Sequence, residues 1–230
     1  MRIGVVIFDL DDTLFDHSGA AAVGLASWLA RLGREVTPEL AAAWAEAEAT
    51  HFPGFLSGRI SHAEQRRRRL RDFLPILGHP VGDDDALDAL YAQGYLPAYQ
   101  GAWRAYPDAA PVLTELRAEG IRTAVLTNGA TAQQTAKLAA IGLAGLAGPV
   151  VTAEDLGVAK PHAEAFATTC ARLGVAAHEA LYVGDNHTTD VIGARAAGLA
   201  AVHLDRNGAG PFDEPARITT LGHLRARLAG

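Results

Sequence analysis

With 230 residues, 49% of them hydrophobic, the chain has material for one large domain or for a core carrying a smaller insert. Its 26 acidic residues outnumber 20 basic ones, and a net charge of −6 argues against a nucleic-acid polymer as partner, since that needs a basic face. The single cysteine, Cys170, has no mate for an internal disulfide, which fits a reducing, cytoplasmic compartment.

The chain opens on an apolar run, Ile3–Phe8, and meets Asp9 at once. The run is too short for a signal peptide's hydrophobic region or a membrane span, so no membrane partner is expected, but it suits a buried strand. From Asp16 to about Gly101 no strand pattern occurs. Helical patterns fall near Ser18–Leu32, Pro38–Ala49, Ser61–Leu74 and Asp84–Tyr95, punctuated at Gly33, Pro53–Gly54, Gly78–Pro80 and Pro97. This predicts an all-helical domain, residues 17–100, inserted into a core made of residues 1–16 and 101–230. Four successive arginines, Arg66–Arg69, point in different directions around a helix. They are expected to be solvated and paired with nearby acids.

Beyond the insert, strands are predicted at Arg122–Leu126, Ala180–Val183 and Ala200–Leu204, with a weaker one at Pro149–Thr152. Helices are predicted at Ala109–Glu119, Ala132–Ile141, Ala163–Leu173 and Val191–Ala197, each ending at a glycine: Gly120, Gly142, Gly174 and Gly198. Strands alternating with helices of this length make an α/β fold with a parallel sheet between helical layers.

Ligands of such sheets bind beyond the carboxyl ends of the strands. Strand one ends in Asp9-Leu10-Asp11-Asp12-Thr13. Two carboxylates two residues apart can divide the work of nucleophile and proton carrier, although the same residues also suit an acidic turn or helix cap. The second ends in Thr127-Asn128-Gly129, a hydroxyl, an amide and main-chain N–H groups fit to cradle phosphate oxygens, or to cap the next helix. Lys160-Pro161 supplies one of only two lysines, the other being Lys137. A lysine there can neutralise both a phosphate and clustered carboxylates. A further strand ends in Gly184-Asp185, followed by Asp190. Asp185 offers oxygen to a hard cation; Asp190 can orient Lys160 or metal-bound water. His187 lies in the same loop, where a cation that prefers oxygen has little use for it.

Taken in order, Asp9-Leu10-Asp11-Asp12-Thr13, Leu126-Thr127-Asn128-Gly129, Lys160-Pro161 and Gly184-Asp185 with Asp190 resemble the four motifs of the haloacid dehalogenase superfamily. The resemblance spans nearly the whole chain. It implies a Rossmann-like core with a helical cap between the first two motifs, and Mg²⁺ held by the Asp9 carboxylate, the Asp11 main-chain oxygen and Asp185. It further implies Asp9, Asp11 and Lys160 as catalytic residues, Thr127, Asn128 and Lys160 as phosphate ligands, and Asp190 in the metal environment.

Dehalogenases of the superfamily lack the second aspartate, because a halide leaves without a proton; Asp11 therefore points to a phosphate ester. Phosphonate hydrolases use a cap lysine, and residues 1–100 contain none. The expected activity is hydrolysis of a small phosphorylated metabolite, a nucleoside monophosphate or sugar phosphate, by a monomer or homodimer. A phosphomutase, or a non-catalytic phosphate-binding protein, is the alternative on the same core. Phe15, Asp16 and His17 stand where the chain leaves the acidic loop and are expected near the leaving group, unless they form an ordinary hinge.

Overall fold

Six apolar segments pair into one sheet: β1 (Val5–Phe8), β2 (Arg122–Thr127), β3 (Val150–Thr152), β4 (Ala180–Gly184), β5 (Ala200–Leu204) and β6 (Arg217–Ile218). The computed structural model describes residues 3–228. The strand order is β3-β2-β1-β4-β5-β6 and every pairing is parallel. β1 and β4 are buried along their whole length, as strands covered on both faces must be, which is why they read as unbroken apolar runs. β6 was not expected: two residues carry no periodic signal.

Backbone packing divides the chain into two units, Met1–Asp16 with Arg104–Gly230, and His17–Trp103. The second is all helical: α1 (His17–Arg31), α2 (Pro38–Leu56), α3 (His62–Phe73), α4 (Asp84–Leu90) and α5 (Leu96–Gly101). Thr37, Ser61 and Asp83 start α2, α3 and α4 by accepting main-chain N–H bonds into the first turn, at 3.3, 3.1 and 2.9 Å. Two expected breaks do not occur. Pro53 lies inside the last turn of α2, where its missing N–H costs one bond, and the Ser57 hydroxyl donates to the carbonyls of Pro53 and Gly54. Pro97 stands in the first turn of α5, which follows α4 through a π-helical turn, Tyr91–Tyr95.

The core of this unit is aromatic. Trp44 packs on Trp28, Phe73 and Tyr95 with ring centroids 5.0–5.3 Å apart. Two of the four arginines enter this packing and so correct the solvated reading. Arg69 is 3% exposed, lies 3.7 Å over the Trp44 ring and pairs with Glu48 at 2.9 Å. Arg66 lies over Tyr91. Arg67 and Arg68 pair with Asp84 and Asp88, and with Glu64, as expected.

In the sheet-bearing unit the strands alternate with α6 (Ala109–Ala118), α7 (Thr131–Ala140), α8 (Ala153–Leu156), α9 (Ala163–Leu173), α10 (Gly193–Ala196) and α11 (Leu224–Leu228). Gly120, Gly142, Gly174 and Gly198 follow their helices with φ between +64° and +85°. The helix expected at Val191–Ala197 begins earlier, as a π-helical turn His187–Ile192 running into α10. The Asn186 side chain caps it, accepting from Thr189 N at 2.9 Å. Among the described residues no helix is long and apolar enough to cross a membrane.

Candidate active site

Phe8 is in register with Val125 of β2 and Val183 of β4, so the ends of three adjacent strands deliver their next residues to one edge. Asp9 is buried there, its N–H donating to Val183 O at 2.8 Å. The chain then turns tightly: Leu10 O accepts from the N–H groups of Thr13, Leu14 and Phe15, and Asp12 takes the left-handed conformation at φ +56°. Leu10 and Leu14 are fully buried and anchor this turn in the core.

Lys160 Nζ lies 2.7 Å from each of Asp9 Oδ1, Asp190 Oδ1 and Tyr182 Oη, so its three hydrogens each have an acceptor. Tyr182 in turn donates to Leu126 O at 2.8 Å. Asn128 fixes the lysine's main chain: its Nδ2 donates to Lys160 O and its Oδ1 accepts from Lys160 N, both at 2.9 Å. The amide expected to bind phosphate thus also places the lysine, and its Nδ2 keeps a second hydrogen beyond the bond to Lys160 O. Asp190 is 1% exposed; its other oxygen accepts from Asn186 N at 3.0 Å. Asp9, Asp185 and Asp190 each bring an oxygen within 4.8 Å of the others.

Burial lifts the Asp9 carboxyl; Lys160 opposes this, the Asp190 and Asp11 charges reinforce it, and the result is about 7. Asp185 rises to about 8, through burial first and then the charges of Asp9, Asp190 and Asp12. Burial pulls the Lys160 ammonium down, but Asp190 and Asp9 outweigh it and the pKa rises. Tyr182 is raised well above the ordinary range by burial and then by the Asp190 and Asp9 charges, so its hydroxyl stays protonated. This excess of negative charge on oxygen ligands suits a hard divalent cation, and the donor set contains no competing sulfur or imidazole.

Asp11 reaches α7, where Lys137 Nζ lies 2.6 Å from Oδ1 and Gln134 Nε2 3.1 Å from Oδ2. Thr127 is buried, and its hydroxyl oxygen accepts from Gln134 Nε2 at 2.7 Å. Gln134, Lys137 and Tyr182 were missed as site residues. The rarity of lysine was the available signal, since both lysines of the chain lie here.

His187 turns aside to Glu214 at 3.0 Å, an acid that Arg195 also grips at 2.7 Å. Phe15 is fully buried and its ring lies 4.9 Å from Lys137 Nζ. Asp16 pairs with Arg104. His17 belongs to the helical unit, with Nδ1 3.0 Å from Tyr99 Oη.

The sequence profile of haloacid dehalogenase-like hydrolases matches residues 3–198. The chain belongs to this family. It is 34% identical over 204 residues to a ribulose-1,5-bisphosphate 5-phosphatase of Halopiger xanaduensis, covering 87% of this chain and 84% of that protein. Among solved structures, a putative hydrolase of this family, YfnB from Bacillus subtilis bound to magnesium, shares the fold with a TM-score of 0.84 at 23% identity over the whole of both chains. A 2-haloacid dehalogenase from Pseudomonas syringae matches with a TM-score of 0.69 at 29% identity, covering 99% of each chain. As a member of the haloacid dehalogenase-like hydrolases, the chain has both a phosphatase and a dehalogenase among its likenesses.

Proposed function

We propose that this chain hydrolyses a small phosphate monoester through a phosphorylated Asp9, with Mg²⁺ as its cation. The observation that carries the reading is the Asp9 carboxylate, 2.7 Å from the buried Lys160 ammonium, within 4.8 Å of Asp185 and Asp190 and beside Thr127 at one sheet edge. Asp11 favours the phosphatase chemistry over the dehalogenase one, because an alkoxide needs a proton on leaving and a halide does not. The likeness to a phosphatase acting on a sugar bisphosphate points the same way.

In this reading Asp9, Asp185 and the Asp11 main-chain oxygen would hold Mg²⁺, with Asp190 steadied by Lys160. The cation would offset the carboxylate charges and draw negative charge from the phosphoryl group. Asp9 attacks phosphorus as the bond to the ester oxygen breaks, and Asp11 gives that oxygen its proton. Asp11 then takes a proton from water, which attacks phosphorus and frees Asp9 and inorganic phosphate. Lys160 draws the Asp9 carboxyl towards its ionised form and aims it, while Thr127 and the N–H groups of the following loop hold the phosphoryl oxygens. Residues 17–103 serve as the cap that selects the substrate, and a buried, unpaired Cys170 suits work in the cytoplasm.

The test is phosphate release from a panel of sugar phosphates, nucleoside monophosphates and short hydroxy-acid phosphates, with Mg²⁺ and with EDTA. Mg²⁺-dependent release from at least one ester supports the reading. Interconversion of sugar-phosphate isomers without net release would replace it by a mutase, and inertness towards every ester would overturn it.

A further inference from the structure

Gln134 and Lys137 stand three residues apart on α7, hence on one face of the helix, and both reach back to the β1 and β2 ends. Each is 2% exposed. The two oxygens of Asp11 are held by different donors, Lys137 on Oδ1 and Gln134 on Oδ2, at 2.6 and 3.1 Å. The Gln134 amide has two hydrogens, and Nε2 lies within bonding distance of both Asp11 Oδ2 and Thr127 Oγ1. Thr127, accepting from Gln134, keeps its own hydroxyl hydrogen for another acceptor. Gly129 makes the reach possible: a Cβ there would fall 2.8 Å from Gln134 Nε2.

We infer that Gln134 and Lys137 are positioning residues for the hydrolysis, resting on the reading of Asp11 as proton carrier and Thr127 as phosphoryl ligand. Lys137 and Gln134 together stop the Asp11 carboxylate from rotating, so that it meets the ester oxygen and then the water in one orientation. Gln134 also commits Thr127 to donate, which is what a phosphoryl oxygen requires. A buried ammonium is a poor choice for stability alone, because an apolar residue of the same size would serve as well. Its place beside Asp11 is explained by what it does to Asp11.

The test uses Lys137→Met and Gln134→Leu, each alone and combined with Asp11→Asn, in the full chain with Mg²⁺. Both single variants should lose about 10–100-fold in kcat on glycerol phosphate, with KM moving less than about threefold. In the Asp11→Asn background, the first-turnover release of p-nitrophenol from p-nitrophenyl phosphate should fall no further on adding Lys137→Met, because the lysine acts through Asp11. Equal losses in both backgrounds, or wild-type kcat in Lys137→Met, would overturn the inference.

A second readout needs no activity. Asp11→Asn leaves a buried ammonium without its carboxylate, so adding Lys137→Met should hold or raise the Tm of that variant. A further fall in Tm, equal to that of Lys137→Met alone, would deny the pair. If the wild type releases phosphate from no ester, the functional reading fails, whereas this melting cycle still decides whether Lys137 holds Asp11.

Discussion

A methyl group on the Cα of Gly184 would fall 2.2 Å from Asp190 Oδ2, so the last residue of β4 can only be glycine while Asp190 stays where it is. Asp190 in that place braces Lys160, and Lys160 braces Asp9. Gly184→Ala should therefore push Asp190 off the lysine, lowering stability by about 1–3 kcal/mol and phosphate release with it. Gly145→Ala, with no neighbour within 4 Å, is the control. Denaturant melts of both proteins check this; equal stability would show that Asp190 has room to move.

Asp9→Asn is nearly isosteric, yet an amide is a very poor nucleophile. Turnover should fall by at least about a thousandfold while the fold and the binding of inorganic phosphate persist. Steady-state assays with Mg²⁺, paired with circular dichroism and phosphate titration, measure both halves. Activity near wild type would refute a covalent route through Asp9.

The raised carboxyls of Asp9 and Asp185 give the metal-free protein a pH dependence of definite sign. A group whose folded pKa lies above its unfolded value contributes stability below the unfolded value and loses it as pH rises through the folded one. With the two near 7 and 8, the EDTA-treated protein should melt at progressively lower temperature between pH 4 and pH 8. Saturating Mg²⁺ should flatten the curve at its upper end, because a bound cation favours the ionised forms. Scanning calorimetry across that range decides; a Tm that rises with pH in EDTA would mean that the carboxylates are not crowded as described.

In the helical unit, Arg69 is buried while the side chain of its partner Glu48 is 31% exposed. The asymmetry predicts an order. Glu48→Ala leaves a buried guanidinium with the Trp44 and Tyr95 rings against it but no acid, and should cost about 2 kcal/mol. Arg69→Met leaves an acid able to turn to water and fills much of the space, and should cost about 1 kcal/mol. Urea titrations of the two variants check the order, and the reverse order would assign the stability to the stacking of Arg69 on Trp44.

The sheet was legible because each buried strand is a short apolar run that ends abruptly in chemistry: Phe8 into Asp9, Leu126 into Thr127, Val183 and Gly184 into Asp185. Parallel pairing then brings those ends together without further information. Gln134 and Lys137 were not legible as site residues. On the sequence they are polar positions of an ordinary amphipathic helix, and only the placement of α7 against the acidic loop turns that face inward. Tyr182 hid for the opposite reason, its ring suiting an apolar strand while its hydroxyl serves Lys160. Arg69 was misread because a long stem and a flat guanidinium can stack inside an aromatic cluster, whereas a rule based on charge alone sends it to solvent. Pro53 was misread as a break because the rule for helix interiors does not hold in a last turn.

The aromatic packing of the helical unit has an optical corollary. All three tryptophans, Trp28, Trp44 and Trp103, belong to the unit His17–Trp103, and the sheet-bearing unit has none. Excitation at the red edge of the protein absorption band therefore addresses one unit alone, and the emission of Trp28 and Trp44, with rings 5.3 Å apart, reports its packing directly. Far-ultraviolet dichroism sees both units at once. Melting followed by the two signals together would thus separate the loosening of the helical unit from the collapse of the sheet, with no label introduced.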